Sequence, residues 1–334
     1  MSSVTLGDLA HSFMLQRRSV ALRQDLHQLT DELTSGRVAD VRDILSGNHN
    51  YLSGLERSLA VLDGYSVANT EAAYYTGAMQ NALDRVQDFS GQLGIDLIMA
   101  GGGPVGVIAG SPSENATTQL DSIINSLNEA IAGRTMFAGT ATGGLALEDT
   151  DTLLTNLRAA VAGQTTPEDI IAAADAWFAA PLGFDAVIYI GSDTALAPFV
   201  LSETEQVSLD VRANDPTLKE ILKNTAVAAL ADDASLGLSV GQQSELFGTV
   251  GLALQSGQDQ LTDLRSEIGL AEARIEQIAV RNQSQETSTE YARNALLEAD
   301  PFETATRLES VQFHLQSLYS VTVKSSQLSL VNFL

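Results

Sequence analysis

Residues 261–278 read LTDLRSEIGLAEARIEQI, and this stretch decides the fold class. Its apolar positions recur at alternating intervals of three and four residues, which places them on one face of a long helix. These positions are Leu261, Leu264, Ile268, Ala271, Ile275 and Ile278. The stretch therefore predicts a helix that buries one face along a partner helix.

Proline is absent from the regions that could hold such partners. None of the seven prolines lies in residues 1–103 or 217–300. Because proline inside a helix costs roughly 3 kcal/mol, both regions can hold long helices. A second apolar stripe runs from about residue 51 to 97, although Gly64 and Gly77 each weaken a helix by about 1 kcal/mol relative to alanine.

The middle of the chain has a different pattern. Runs rich in β-branched residues at 186–190, 199–201 and 207–211 predict short strands. The pairs Thr166-Pro167 and Asp215-Pro216 predict helix starts, with a capping residue before a proline in the first turn. This region is thus expected to be a mixed α/β insertion.

The predicted fold is mainly α. It is a long antiparallel coiled-coil helical rod built from the N- and C-terminal arms, with a small α/β domain inserted in the middle. We expect three domains: a terminal coiled-coil assembly domain (1–40 and 301–334), a helical rod domain (41–140 and 217–300), and a variable α/β outer domain (141–216).

Both ends of the chain carry apolar stripes. Gly36 is placed to end the first helix, and Asp300-Pro301 to begin the last. Stripes at chain ends can be buried only against each other or against neighbouring subunits, so they form the predicted assembly interface. The predicted interface residues are Leu15, Leu22, Leu26, Leu29, Leu33, Leu308, Val311, Leu315, Leu318, Leu328, Val331, Phe333 and Leu334.

Charge is partitioned along the chain. The formal net charge is −24, yet residues 1–36 carry three bases and four acids, and residues 302–334 carry two of each. The remaining −23 lies on residues 37–301. Such an acidic body repels nucleic-acid phosphates, which argues against nucleic-acid binding. The nearly neutral ends can meet other protein surfaces.

The sequence gives little support for catalytic, metal or membrane sites. Cysteine is absent, and the four histidines have no metal-ligand spacing. Gly101, Gly103 and Gly106 match G-x-G-x-x-G, but a helical stripe precedes them and Pro104 lies among them, so a turn is favoured over a dinucleotide site. We expect no catalytic residue, no cofactor, no metal and no membrane insertion. No cleaved leader is expected either.

Three segments resemble the bacterial flagellin superfamily, and within it the hook-associated protein 3 branch. They are LTSGR at 33–37, similar to the family's turn after the first helix; RTMFAGT at 134–140, similar to its "R-Y-L-F-A/S-G-T" segment; and LSLVNFL at 328–334, similar to the branch's C-terminal ending. Together the matching arms cover about two thirds of the chain.

This resemblance implies a structural protein at the junction of hook and filament, secreted by the flagellum-specific type III apparatus. Its expected partners are copies of itself, a neighbouring hook-associated protein, filament flagellin, and an export chaperone at the C-terminal segment. The alternatives are a filament flagellin, an intracellular coiled-coil scaffold, and a nucleotide-dependent enzyme that uses the glycine loop.

Overall fold

The computed structural model describes residues 6–39, 49–102 and 111–331, and over these residues the chain is mainly helical, as predicted. The helices are α1 (Leu6–Ser35), α2 (His49–Gly102), α3 (Pro112–Leu127), α4 (Thr150–Ala160), α5 (Pro167–Ala179), α6 (Phe184–Val187), α7 (Pro216–Leu230), α8 (Val240–Leu297) and α9 (Pro301–Val331). Two short antiparallel pairs complete the described secondary structure: β1 (Ala130–Ile131) with β2 (Arg134–Thr135), and β3 (Phe199–Val200) with β4 (Gln206–Val207).

The chain divides into two compact units. A terminal unit comprises residues 1–63 and 284–334, and a central unit comprises residues 64–283. The finer division into three domains stays a prediction.

Antiparallel pairing of α2 with α8 organises the central unit. The Gln80 side-chain amide donates to the Arg265 carbonyl at 2.7 Å, and the Gln255 amide donates to the Gly91 carbonyl at 2.9 Å. Residue numbers thus rise along α2 as they fall along α8. Helix α2 continues through Gly64 and Gly77 without a break, and on either side of Gly77 its residues Tyr75 and Met79 are buried in the core of the central unit.

Glycines let the two helices approach closely. A Cβ added at Gly251 of α8 would lie 2.9 Å from the Gly94 carbonyl oxygen and 2.9 Å from the Ile98 nitrogen of α2. One added at Gly101 would lie 2.6 Å from the Cα of Gly248. At these positions the backbones pack directly on each other, and only glycine fits without movement.

Between α2 and α8, the helices α5 and α7 begin at the residues that the sequence predicted. The Thr166 hydroxyl accepts from the Asp169 amide at 3.2 Å, and the Asp215 carboxylate accepts from the Thr217 amide at 2.9 Å. In both cases proline occupies the first helical position, where no backbone donor is lost.

The strand predicted over 186–190 is wrong. The Ile188 amide donates to the Phe184 carbonyl and closes α6, and Phe184 stacks on Phe178 at 4.8 Å. A short buried apolar run is compatible with either a helix or a strand, and here aromatic packing selects the helix. Pairing in this run is limited to an isolated bridge between Leu147 and Tyr189. The run at 199–201 does contain β3, whereas 209–211 lies outside any strand.

The segment 134–140 packs against α2. Arg134 forms an ion pair with Glu71 at 2.6 Å, and the Tyr75 hydroxyl donates to the Met136 carbonyl at 2.9 Å. Burial raises the pKa of the Tyr75 phenol, so it remains a neutral donor. Phe137 is fully buried. The contacts of this segment thus hold it against α2.

We expect Gly251→Ala to lower the free energy of unfolding by roughly 1–3 kcal/mol, since its methyl group would press on the α2 backbone. The matched control is Gly77→Ala in α2, where an added Cβ has no neighbour within 4 Å. The control should raise stability by up to about 1 kcal/mol through helix propensity alone. Urea denaturation measures both, and equal effects of the two substitutions would contradict the close approach.

Candidate assembly surface

Helices α1 and α9 form an antiparallel pair in the terminal unit. Backbone hydrogen bonds join the residues that follow α1 to those that precede α9: Val38 N–H donates to the Leu297 carbonyl, and Ala299 N–H donates to the Gly36 carbonyl, both at 3.0 Å. Gly36 adopts φ +68°, which ends α1 as predicted. Asp300 caps α9, accepting from the Phe302 amide at 2.8 Å.

Part of the predicted interface forms the seam of this pair. Leu22 and Leu29 of α1 and Leu315 of α9 are buried. Leu15, Leu26, Leu308, Val311 and Leu318 are half-buried, and Leu33 is exposed. Leu328 and Val331 lie in α9, but their side chains are not described. Phe333 and Leu334 lie outside the described residues. The structure thus brings most of the described interface residues together within one copy of the chain.

Polar contacts at the seam add to this pairing. The Arg23 guanidinium donates to the Tyr319 hydroxyl at 2.8 Å and lies 5.9 Å from the centre of its ring. Glu32 is buried, and its carboxylate accepts from the Ala39 amide at 3.0 Å and from the Gln28 side chain at 3.1 Å. A buried carboxylate with these partners also fixes the chain where it leaves α1.

A second set of apolar side chains, which the sequence pattern did not predict, lies on the sides of α1 and α9 that face away from the seam. The relative exposures of Phe13 and Val20 are 59% and 50%, and those of Phe302 and Phe313 are 83% and 67%. Large aromatic side chains left in water mark interaction surfaces when several lie together. The sequence does show apolar residues on two sides of each of these helices. A pair of helices can bury only one of those sides.

The described residues lend no support to a catalytic centre. Gly101 lies in α2, so a helix precedes the glycine-rich segment where a dinucleotide site needs a strand; residues 103–110 lie outside the described part. Within residues 6–39, 49–102 and 111–331, no three side chains of metal-ligating type lie together. No helix among these residues is long and apolar enough to cross a membrane.

Comparison with known proteins agrees with this geometry. Residues 253–334, which hold α8 from Ala253 onward and all of α9, match the family described as the bacterial flagellin C-terminal helical region. The chain is also similar to the solved structure of a "putative flagellar hook-associated protein" from Vibrio parahaemolyticus. That likeness has a TM-score of 0.52 and 13% identity, and covers 75% of this chain and 99% of the other, so it concerns the fold. No curated protein matches.

We expect Leu29→Ala to destabilise the α1–α9 pair by roughly 2–5 kcal/mol, because it removes a buried side chain from the seam. The control is Val20→Ala on the exposed side of α1, with an expected effect under about 0.5 kcal/mol. Trypsin cleavage at Arg17 and Arg18 under native conditions reports opening of α1. A rise of about tenfold or more is expected for Leu29→Ala only, and equal rates for both variants would contradict the seam.

Proposed function

We propose that this chain is a structural protein of the bacterial flagellum that joins the hook to the filament. It polymerises through its terminal helices and has no enzymatic activity, cofactor or metal. The observation that carries the proposal is the α1–α9 pair: its seam is closed, while apolar side chains remain exposed on its other sides.

Two comparisons support the flagellar assignment. The part of the chain that matches the flagellin C-terminal region includes the whole of the helix that pairs with α1. The hook-associated description belongs to a protein that shares the fold over nearly its whole length. A structural role also agrees with the segment 134–140, whose hydrogen bonds and ion pair are internal.

Charge supports assembly at the terminal helices. The nearly neutral ends can pack densely against neighbours, whereas the charge of −23 on residues 37–301 keeps unassembled subunits apart. In this proposal the three predicted domains become an inner assembly domain, a rod and an outward-facing insertion at 141–216. The partners are copies of the chain, an adjacent hook-associated protein and filament flagellin.

Secretion follows from the same proposal. The chain would leave the cell by the flagellum-specific type III route, with an export chaperone on its C-terminal segment. Absence of cysteine suits this route, because no disulfide can lock the chain before it is threaded. The location is then extracellular, on the flagellum.

A filament flagellin is the second candidate. The family match favours it, because the description of that family names flagellin. Immunogold electron microscopy of intact cells distinguishes the two. A short labelled band at the filament base supports the junction protein, and label along the filament supports flagellin. Label confined to the cytoplasm would contradict both.

Deletion of residues 325–334 should abolish incorporation into the flagellum, because it removes the end of the apolar stripe of α9. The central unit should stay folded, since all of its residues lie in 64–283. Immunoblots of sheared flagella measure incorporation, and circular dichroism of the purified variant checks the fold. Wild-type incorporation of the truncated chain would refute assembly through this segment.

A further inference from the structure

The β3–β4 hairpin of the central unit is too short to be stable by itself. Its strands pair over only two residues each, Phe199 with Val207 and Val200 with Gln206. An isolated two-stranded hairpin is marginally stable at best in water. The conformation of residues 199–207 therefore depends on what the hairpin contacts, and we call these residues the strap.

The strap contacts both long helices of the central unit through one backbone carbonyl. Leu201 is fully buried, and its carbonyl oxygen accepts from the side-chain amide of Asn69 in α2 at 3.2 Å and from that of Asn282 in α8 at 2.7 Å. Both asparagines are buried, with relative exposures of 3% and 5%. Because buried polar groups need partners, this carbonyl joins α2 to α8 across the strap.

Further contacts attach the strap to each helix separately. The Glu205 carboxylate forms ion pairs with Arg274 at 2.6 Å and with Arg281 at 2.5 Å, two arginines of α8 that lie about two helical turns apart. On the other side, the ring centres of Phe199 and Tyr75 of α2 are 5.7 Å apart. The strap thus binds α8 through charge and α2 through an aromatic contact.

The chain on either side of the strap is held by a different segment. The Thr194 carbonyl accepts a hydrogen bond from the segment 134–140 at 3.0 Å, and Ala213 N–H donates to the same segment at 2.9 Å. These two bonds do not involve the strap. Residues 195–212 can therefore leave the helices as one loop while both ends of the loop stay attached.

The contacts of the strap are weaker than those of the core beside it. The two arginines that meet Glu205 are 55% and 52% exposed, and ion pairs at such positions contribute little. Val200 is exposed, and the Asn69 amide oxygen is buried without a hydrogen-bond partner among the described residues. Helices α3 and α7, by contrast, bury their apolar faces almost completely. A segment with few buried apolar groups opens more readily than a packed core.

We propose that the strap is a detachable element, which leaves α2 and α8 as one unit while the core around α3 and α7 stays folded. Its release removes the shared carbonyl, so the two helices can separate near Asn69 and Asn282. Both residues lie close to the ends of the range 64–283, where α2 and α8 leave the central unit. The strap thereby controls how far along their length the two helices are held together, in a junction protein and in a flagellin alike.

Single cysteines report this opening, because the natural chain has none. Ala72→Cys places a thiol at a fully buried position of α2, between the strap contacts Asn69 and Tyr75. Ala116→Cys places one at a fully buried position of α3 and is the matched control. Under native conditions, iodoacetamide should label position 72 at least about tenfold faster than position 116, because only the first is reached by opening of the strap. Equal rates at the two positions would overturn the proposal.

Removal of the ion pairs tests the role of the strap itself. Glu205→Gln in the Ala72→Cys chain should raise the labelling rate about fivefold, because the strap loses both charged contacts with α8. The matched control is Glu203→Gln, which changes an exposed carboxylate of the same turn. In the Ala116→Cys chain neither substitution should change the rate. Equal effects of the two substitutions at position 72 would refute the strap as the element that opens.

Hydrogen–deuterium exchange of the unmodified chain tests the boundaries of the opening unit. The Leu201 amide, which donates to the Glu205 carbonyl, should exchange faster than the Ala213 amide, which donates to the segment 134–140. Exchange of the Leu201 and Ala213 amides at the same rate would contradict an opening confined to the strap.

Discussion

A pair of helices can bury only one face of each, and the α1–α9 pair of the terminal unit depends on this constraint. Leu22, Leu29 and Leu315 are enclosed where α1 meets α9, and nothing else among the described residues covers the opposite sides. Exposed phenylalanines on those sides would be unfavourable in a chain meant to stay alone. In a chain that assembles, they are groups that become buried when a neighbour arrives, and they contribute their burial energy at that moment.

The central unit buries many of its apolar side chains in one core, although Leu182 and Leu270 remain exposed. Three or more elements meet there, so α2 and α8 bury their faces against α3 and α7 as well as against each other. Glycine at Gly94, Gly101, Gly248 and Gly251 brings the two long helices into backbone contact. The strong negative charge falls mainly on this part of the chain, where it favours solubility, and spares the ends, where it would oppose association.

Much of this organisation could be predicted from the sequence because it depends on local periodicity. Three-four spacing predicted the long helices and placed Leu22, Leu29 and Leu315 on their apolar stripes, and capping residues predicted the start of α9 at Pro301. The strand over 186–190 was wrong, since packing of Phe184 on Phe178 decided between two conformations that the run allows equally. The exposed sides of α1 and α9 were missed because a search for the most regular stripe finds the seam, whereas Phe13 and Phe313 matter only once the seam is known to be closed. Glycine contacts between α2 and α8 depend on which turns cross, which no local pattern encodes.

Hydrogen–deuterium exchange of α1 and α9, compared between the free chain and the assembled polymer, tests the central claim most directly. The account predicts that amides of α1 exchange faster than those of α8 between residues 246 and 278 in the free chain, because a two-helix pair opens more readily than a multi-helix core. On assembly, the α1 and α9 amides should become strongly protected while those of α8 in that range change little. Equal protection of α1 in the free and assembled states would contradict the claim that its side away from the seam is left for a neighbour.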